Sequence, residues 1–378
     1  MKTALLHIGT MKTGNTSLHH GLAMAKANGI LGTVAYPRWR GDLHQARLAT
    51  LYGSERLWDK LPSLRERYPA DEGRFQQMLR AYRKFVFAQL RRASGAIISA
   101  ETFAHLFSAD MALALRRDLE GAGFRKFKIV LYVRDPADYY LSITNQNLRM
   151  TTATPLVEDP ASFKYAFLEM ADVWEAAFPG DLMVRKYPAA SGAEVFDDFN
   201  MVLKDTFGIA IPHIPVRKNP SLSTEGMHIM QLYRNAVSPD SSRTLTADAA
   251  LLARFLVQSI DALPQTRPVL KREMAALIRA SHARDAHELH SRYGVDLGVG
   301  EEAPPCEAHR TDPWSVEEIV TSIDPEIMRK LTFLAMREGF ARPRPKRSLP
   351  YRTASMIYRH LPQGAKSGRL RDMLKSVL

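Results

Sequence analysis

The sequence predicts an α/β fold, a three-layer sandwich on a central parallel sheet. Three observations lead there. The apolar run Ala4-Leu5-Leu6 passes through a glycine-bearing turn into the helix-like stretch 18–23. A second apolar run, Lys128 to Val133, is continuous, as expected of a strand buried on both faces. Between them a short strand, 96–100, is joined to the second run by an amphipathic stretch over 109–123, which makes a parallel crossover unit.

The first turn is the centre of the chain. His7 to Leu18 reads strand, tight loop, helix. The first amides of such a helix lack intrahelical acceptors and converge on one point, where an anion can sit. Gly9 and Gly14 let it approach, Lys12 adds a full charge, and Thr13, Asn15, Thr16 and Ser17 add polar groups. The familiar phosphate loop, G-x-x-x-x-G-K-[ST], would need lysine at 15. Here the glycine spacing and Thr16 are in place, but position 15 is Asn and the lysine stands at 12.

The chain then runs to a helix stop at 27–32 and a turn-rich stretch, 36–44, mixing aromatic and basic residues. Arg38, Arg40 and His44 there are candidates for binding an acceptor at the mouth of a crevice. Residues 45–93 carry helical patterns; the stripe Phe75, Met78, Leu79, Tyr82, Phe85, Val86, Leu90 is a core face. The strand at 96–100 ends in Glu101, a carboxylate at its C-terminal edge, with His105 following.

After the Lys128–Val133 run come Arg134-Asp135-Pro136, and the proline can open a helix. Arg134 then ends a strand and Ser142 lies two turns into the helix. Both can face the crevice where open α/β sheets bind ligands. An arginine fork plus a hydroxyl clamps a phosphate well. Gln146 and Arg149 follow on the same helix. Residues 151–160 read as a loop and a candidate lid, 163–178 as a helix with Trp174 inside, 181–187 as a strand ending at Tyr187, and 195–207 as a helix. Arg217-Lys218-Asn219 lies in a basic loop before a helix that opens at 223–225. Beyond it the pattern is helical to about 340, with loops at 237–245, 262–268 and 298–313. His282, Asp285, His287 and His290 sit on a helix rich in Arg, Glu and Ala and read as surface residues.

These motifs together resemble the sulfotransferases that use 3′-phosphoadenosine 5′-phosphosulfate (PAPS). Lys12-Thr13-Gly14-Asn15-Thr16-Ser17 resembles their loop for the 5′-phosphosulfate. Arg134 and Ser142, eight apart in an R-[DN]-P-x-x-x-x-x-S frame, resemble their 3′-phosphate clamp. The resemblance covers roughly residues 1–25 and 95–225. Two positions depart from it: Asn15 stands where the family usually has Thr, and Ser17 where small-phenol members carry a tryptophan. The form K-T-G-x-T-S-L is closer to the branches that modify carbohydrates.

The resemblance implies a P-loop-like sandwich with helical additions, about 35–93 being an insertion, in one domain over residues 1–340. It implies metal-independent in-line transfer from PAPS, leaving PAP, to a small-molecule acceptor of the carbohydrate or glycolipid class. Glu101 is the expected base, with His44 second and His105 third, since proton removal must accompany bond formation. Lys12 would offset charge on the donor phosphate. Tyr187 would lie near the adenine, and Arg217, Lys218 and Asn219 would fold over the 3′-phosphate. The alternatives are a P-loop kinase or NTPase, which the displaced lysine disfavours, and a non-catalytic nucleotide-binding interaction protein.

Composition narrows the class. The single cysteine, Cys306, excludes an intrachain disulfide framework and fits a reducing compartment. The start lacks the apolar core of a signal peptide, and no run of about 18 apolar residues is present. A cytoplasmic protein is the expectation. The formal net charge is +12, but residues 341–378 hold ten basic residues against Asp372, leaving only +3 elsewhere. The body is therefore not a nucleic-acid-type surface. The tail reads as basic amphipathic helices suited to docking on their own domain or on a partner protein or, peripherally, to the inner membrane surface.

Overall fold

A computed structural model describes residues 1–53, 72–105, 108–150, 155–188, 192–213, 221–237, 246–259, 266–299 and 312–341. The expectations for Arg217, Lys218, Asn219, Cys306 and the basic tail beyond Ala341 lie outside those residues, as does the side chain of His105.

Five strands form one parallel sheet: β1 (Lys2–His7), β2 (Val34–Ala35), β3 (Gly95–Ser99), β4 (Phe124–Val133) and β5 (Leu182–Lys186), in spatial order β2-β3-β1-β4-β5. Alternation along each strand splits the core in two. Ala4 and Leu6 of β1, with Ile129, Leu131 and Val133 of β4, face the larger cluster. Leu5, Val130 and Tyr132 face the smaller one. That is the period-two pattern of a sheet buried on both faces.

Helices cover each face. On the smaller side lie α1 (Asn15–Ala27), which contributes Leu18 and Leu22, and a helix at Gly192–Phe207, which contributes Phe196 and Phe199. On the other lie helices at Glu72–Arg92, Ala109–Gly121, Pro136–Met150 and Phe167–Ala177. The predicted stripe of the first of these is buried at Phe75, Leu79, Tyr82, Val86 and Leu90. The result is a three-layer α/β sandwich on an open, all-parallel sheet.

The later helices, Thr224–Val237, Ala247–Gln258, Arg272–Ser281, Ala283–Tyr293, Val316–Ile319 and Pro325–Ala341, form an added helical layer. Ser223 opens the first by accepting from the Gly226 amide at 3.0 Å. Among the described residues no helix is long and apolar enough to cross a membrane.

Two expectations are corrected. The helix predicted from Phe163 begins at Phe167, and 163–166 is not helical. The Tyr165 amide and hydroxyl are both used in long-range hydrogen bonds, which local periodicity does not register. His282 is not a surface residue but buried. Its Nε2 accepts from the Tyr165 amide at 2.9 Å and its Nδ1 donates to the Ile278 carbonyl at 2.7 Å. His287 and His290 are exposed, as expected.

Candidate functional site

Along the sheet the chain leaves β1 toward the β2 edge and leaves β4 toward the β5 edge, although β1 and β4 are neighbours. Their C-terminal ends therefore flank a topological switch point, where loops part and open a crevice. The turn 8–14 follows β1 and Arg134 follows β4.

The first turn is held from within. Thr13 Oγ1 donates to the Thr10 carbonyl at 2.6 Å and Asn15 Nδ2 donates to the same oxygen at 2.9 Å. Both side chains are buried. Expected to contact an anion, they instead brace the loop, and what they leave for a ligand is main-chain N–H. Gly14 has φ +75° at the N-terminus of α1, with no side-chain cap, so the first amides of α1 lack intrahelical acceptors. A Cβ on Gly14 would lie 2.8 Å from Val195 Cγ1. Thr16 is exposed and Ser17 half-buried.

Lys12 adopts φ +68°, a conformation costing about 1 kcal/mol or more for a residue with a Cβ. Its pKa is pushed down to about 8, first by burial and then by Arg149 and Arg134 nearby. Two arginines thus lie close to Lys12. Backbone strain and cation crowding coincide at this position.

Arg134 stands beside it. Its Nη1 donates to the Lys12 carbonyl at 3.2 Å, its Nη2 lies 3.9 Å from Asp138, and its buried Nε has no hydrogen-bond partner among the described residues. Of the guanidinium nitrogens it is Nε that is left over. Its guanidinium lies 5.4 Å from the centre of the Tyr187 ring, so Tyr187 flanks the arginine. Arg134 and Ser142 line one cleft of about 440 Å³, together with Ser221, Arg267 and Arg279. Arg279 is paired with Asp135 (Nε to Oδ2, 2.8 Å).

Glu101 opens a 3-10 turn directly after β3, and its Oε2 is buried without a partner among the described residues. His44 Nδ1 accepts from the Ala46 amide at 3.2 Å, which leaves the proton of its neutral ring on Nε2. Arg38 donates to the Asp42 and Gly41 carbonyls and so holds its own loop.

Several site residues were not foreseen. The sequence places Arg149 only on the helix after Arg134, yet it belongs to the cation cluster around Lys12. Arg267 and Arg279 reach the cleft from the added helical layer, and no local pattern marks them. Behind the first turn, Ser99 Oγ lies 2.7 Å from His7 Nδ1 and 2.9 Å from His19 Nε2. Burial lowers the pKa of His7 to about 3. That of His19 is lowered by burial, then by His7, His44 and His20. Both rings are therefore neutral braces between strand ends.

No model of a known protein family, no curated protein and no solved structure matches the chain.

Proposed function

We propose that the chain is a PAPS-dependent sulfotransferase on a P-loop-like scaffold, moving a sulfuryl group to an acceptor hydroxyl of the carbohydrate or glycolipid class. One observation carries the reading. Two neighbouring parallel strands end in two cation-bearing turns, Lys12 on one and Arg134 on the other, joined by the 3.2 Å bond from Arg134 Nη1 to the Lys12 carbonyl. A nucleotide phosphorylated at both its 3′ and 5′ ends needs two such positions side by side.

The residues fit that donor. The orphaned Nε of Arg134 and the depressed pKa of Lys12 are deficits that an anion repairs. Arg134 and Ser142 would hold the 3′-phosphate. The amides at the start of α1 and Lys12 would hold the 5′ group. Bound PAPS supplies an activated sulfuryl on its 5′-phosphate. The acceptor oxygen forms the new S–O bond as the S–O bond to that phosphate breaks. Lys12 offsets the charge gathering on the departing phosphate oxygen, and Glu101 Oε2 receives the acceptor proton. Tyr187 flanks the donor site beside Arg134.

Thermal unfolding tests the reading. A ligand bound only by the native state at 100 times its Kd adds about 2.7 kcal/mol. PAP is expected to raise the transition in EDTA, and Arg134→Ala to abolish the rise. A rise with ATP and Mg²⁺ but none with PAP would replace the sulfotransferase with a kinase or NTPase. Glu101→Gln is expected to keep PAP binding while turnover falls by about 10²–10⁴. A PAP-binding chain with no sulfuryl transfer to any sugar or glycolipid hydroxyl would be a binding protein instead.

A further inference from the structure

We propose that Tyr165 is a positioning residue that sets the spacing between the two anion-binding turns, an inference that rests on the two-phosphate reading above.

Thr10 Oγ1, in the turn after β1, donates to the Tyr132 carbonyl at 3.1 Å. It lies 3.0 Å from Tyr165 Oη. The threonine's one hydroxyl hydrogen is already used, so Tyr165 must donate to Thr10. The phenol oxygen in turn lies 3.4 Å from the Arg134 amide and accepts from it. The bonds therefore run one way, from the Arg134 amide through Tyr165 and Thr10 to the end of β4. One hydroxyl touches both turns.

Tyr165 is itself fixed from outside the sheet. Its ring stacks on Tyr139 at 3.9 Å between centres and an interplanar angle of 12°, and meets Phe167 edge-on at 5.1 Å. Its amide donates to His282 Nε2 at 2.9 Å, and His282 is anchored through Nδ1 to Ile278. Burial, with Tyr139 alongside, raises the phenol's pKa, so the O–H remains a donor at working pH. Through this one residue the helical layer at 272–293 reaches both halves of the site.

A second link between the turns, Arg134 Nη1 to the Lys12 carbonyl, uses the guanidinium that an anion would also engage. Tyr165 holds the main chain of Arg134 instead, so its grip is independent of ligand. Rigid spacing should matter most for a ligand that must satisfy both turns at once, since pre-organisation removes an ordering cost.

Titration calorimetry with PAP and with 5′-AMP tests this in full-length wild type, Tyr165→Phe, Thr10→Val and the double variant. Phenylalanine keeps the ring packing and removes only the hydroxyl. The expected result is a loss of about tenfold in PAP affinity for Tyr165→Phe. 5′-AMP, which occupies one turn, should change by no more than about twofold. The double variant should lose less than the product of the two single losses. Unchanged PAP affinity in Tyr165→Phe overturns the proposal while leaving the donor assignment standing. Equal proportional losses for PAP and 5′-AMP also overturn it, because they mark a general structural role. Wild type binding neither nucleotide removes the donor reading and this proposal with it.

Discussion

The turn after β1 and the turn after β4 stand side by side and offer an anion different things. The first spends its polar side chains on itself. Thr13 and Asn15 both close on the Thr10 carbonyl, which leaves main-chain amides and the strained, crowded Lys12 as the groups not spent on the loop. The second spends little. Its proline-opened helix starts at once, and Arg134 keeps a buried, unpartnered Nε. An anion at the first turn would thus be met by backbone shape, and at the second by one side chain. Backbone sites fail when the chain cannot adopt the shape, side-chain sites when the group is removed.

That contrast can be broken at three points. Arg134→Ala should have the largest effect, lowering PAP affinity by about 100-fold, the scale of two charge-assisted hydrogen bonds. Stability without ligand should hardly suffer, because the arginine lies against Lys12, another cation, and its buried Nε makes no hydrogen bond among the described residues. A matching loss in both quantities would show that Arg134 supports the fold rather than the ligand.

Gly14→Ala should do the opposite. A Cβ there meets φ +75° and Val195 Cγ1 at 2.8 Å, and Val195 is a buried β-branched residue with little freedom to yield. Denaturant unfolding should show a loss of roughly 2–3 kcal/mol. An alanine variant as stable as wild type would mean that the turn has another shape available.

Lys12→Gly sharpens the comparison most finely. Removing the side chain relieves the left-handed strain and the cation crowding, so stability should rise by about 1 kcal/mol while PAP binding weakens. The pH dependence follows from the depressed pKa. Between about 8 and the ordinary 10.5 the unfolded chain holds the Lys12 proton and the folded chain does not, so this residue's contribution to stability rises with pH through that window. Affinity for PAP should fall over the same range, since the anion prefers the protonated amine. Binding measured from pH 7 to 9.5 should steepen above 8 in wild type and stay flatter in Lys12→Gly.

The legible parts of the molecule share a cause. Runs such as Lys128 to Val133 and the stripe at 75–90 record burial directly, because a side chain's exposure repeats with the period of its element. Strand ends followed by Gly14 or Pro136 marked the two turns, because only certain residues suit those backbone states. Arg134 and Ser142 could be paired from spacing alone, and they do line one cleft. The misses share a cause as well. The two-residue strand β2 is too short to show a period, and it exists through its pairing with Gly95 and Ala96. His282 carries no local sign of burial, since its partners are Tyr165 and Ile278, one of them more than a hundred residues away.

Residue patterns alone determined the α/β class, the order of the main elements and the two places where charge meets a strand end. These depend on local propensity and periodicity, which are properties of short windows. Only the tertiary structure decided which polar groups are spent and which are spare. Thr13 and Asn15 turn inward, Arg149 joins Lys12, Arg267 and Arg279 arrive from the helical layer, and Tyr165 leaves the helix to bridge Thr10 and Arg134. Hydrogen-bond partners and electrostatic neighbours are set by proximity in space, and proximity between distant parts of a chain is settled only when the layers pack.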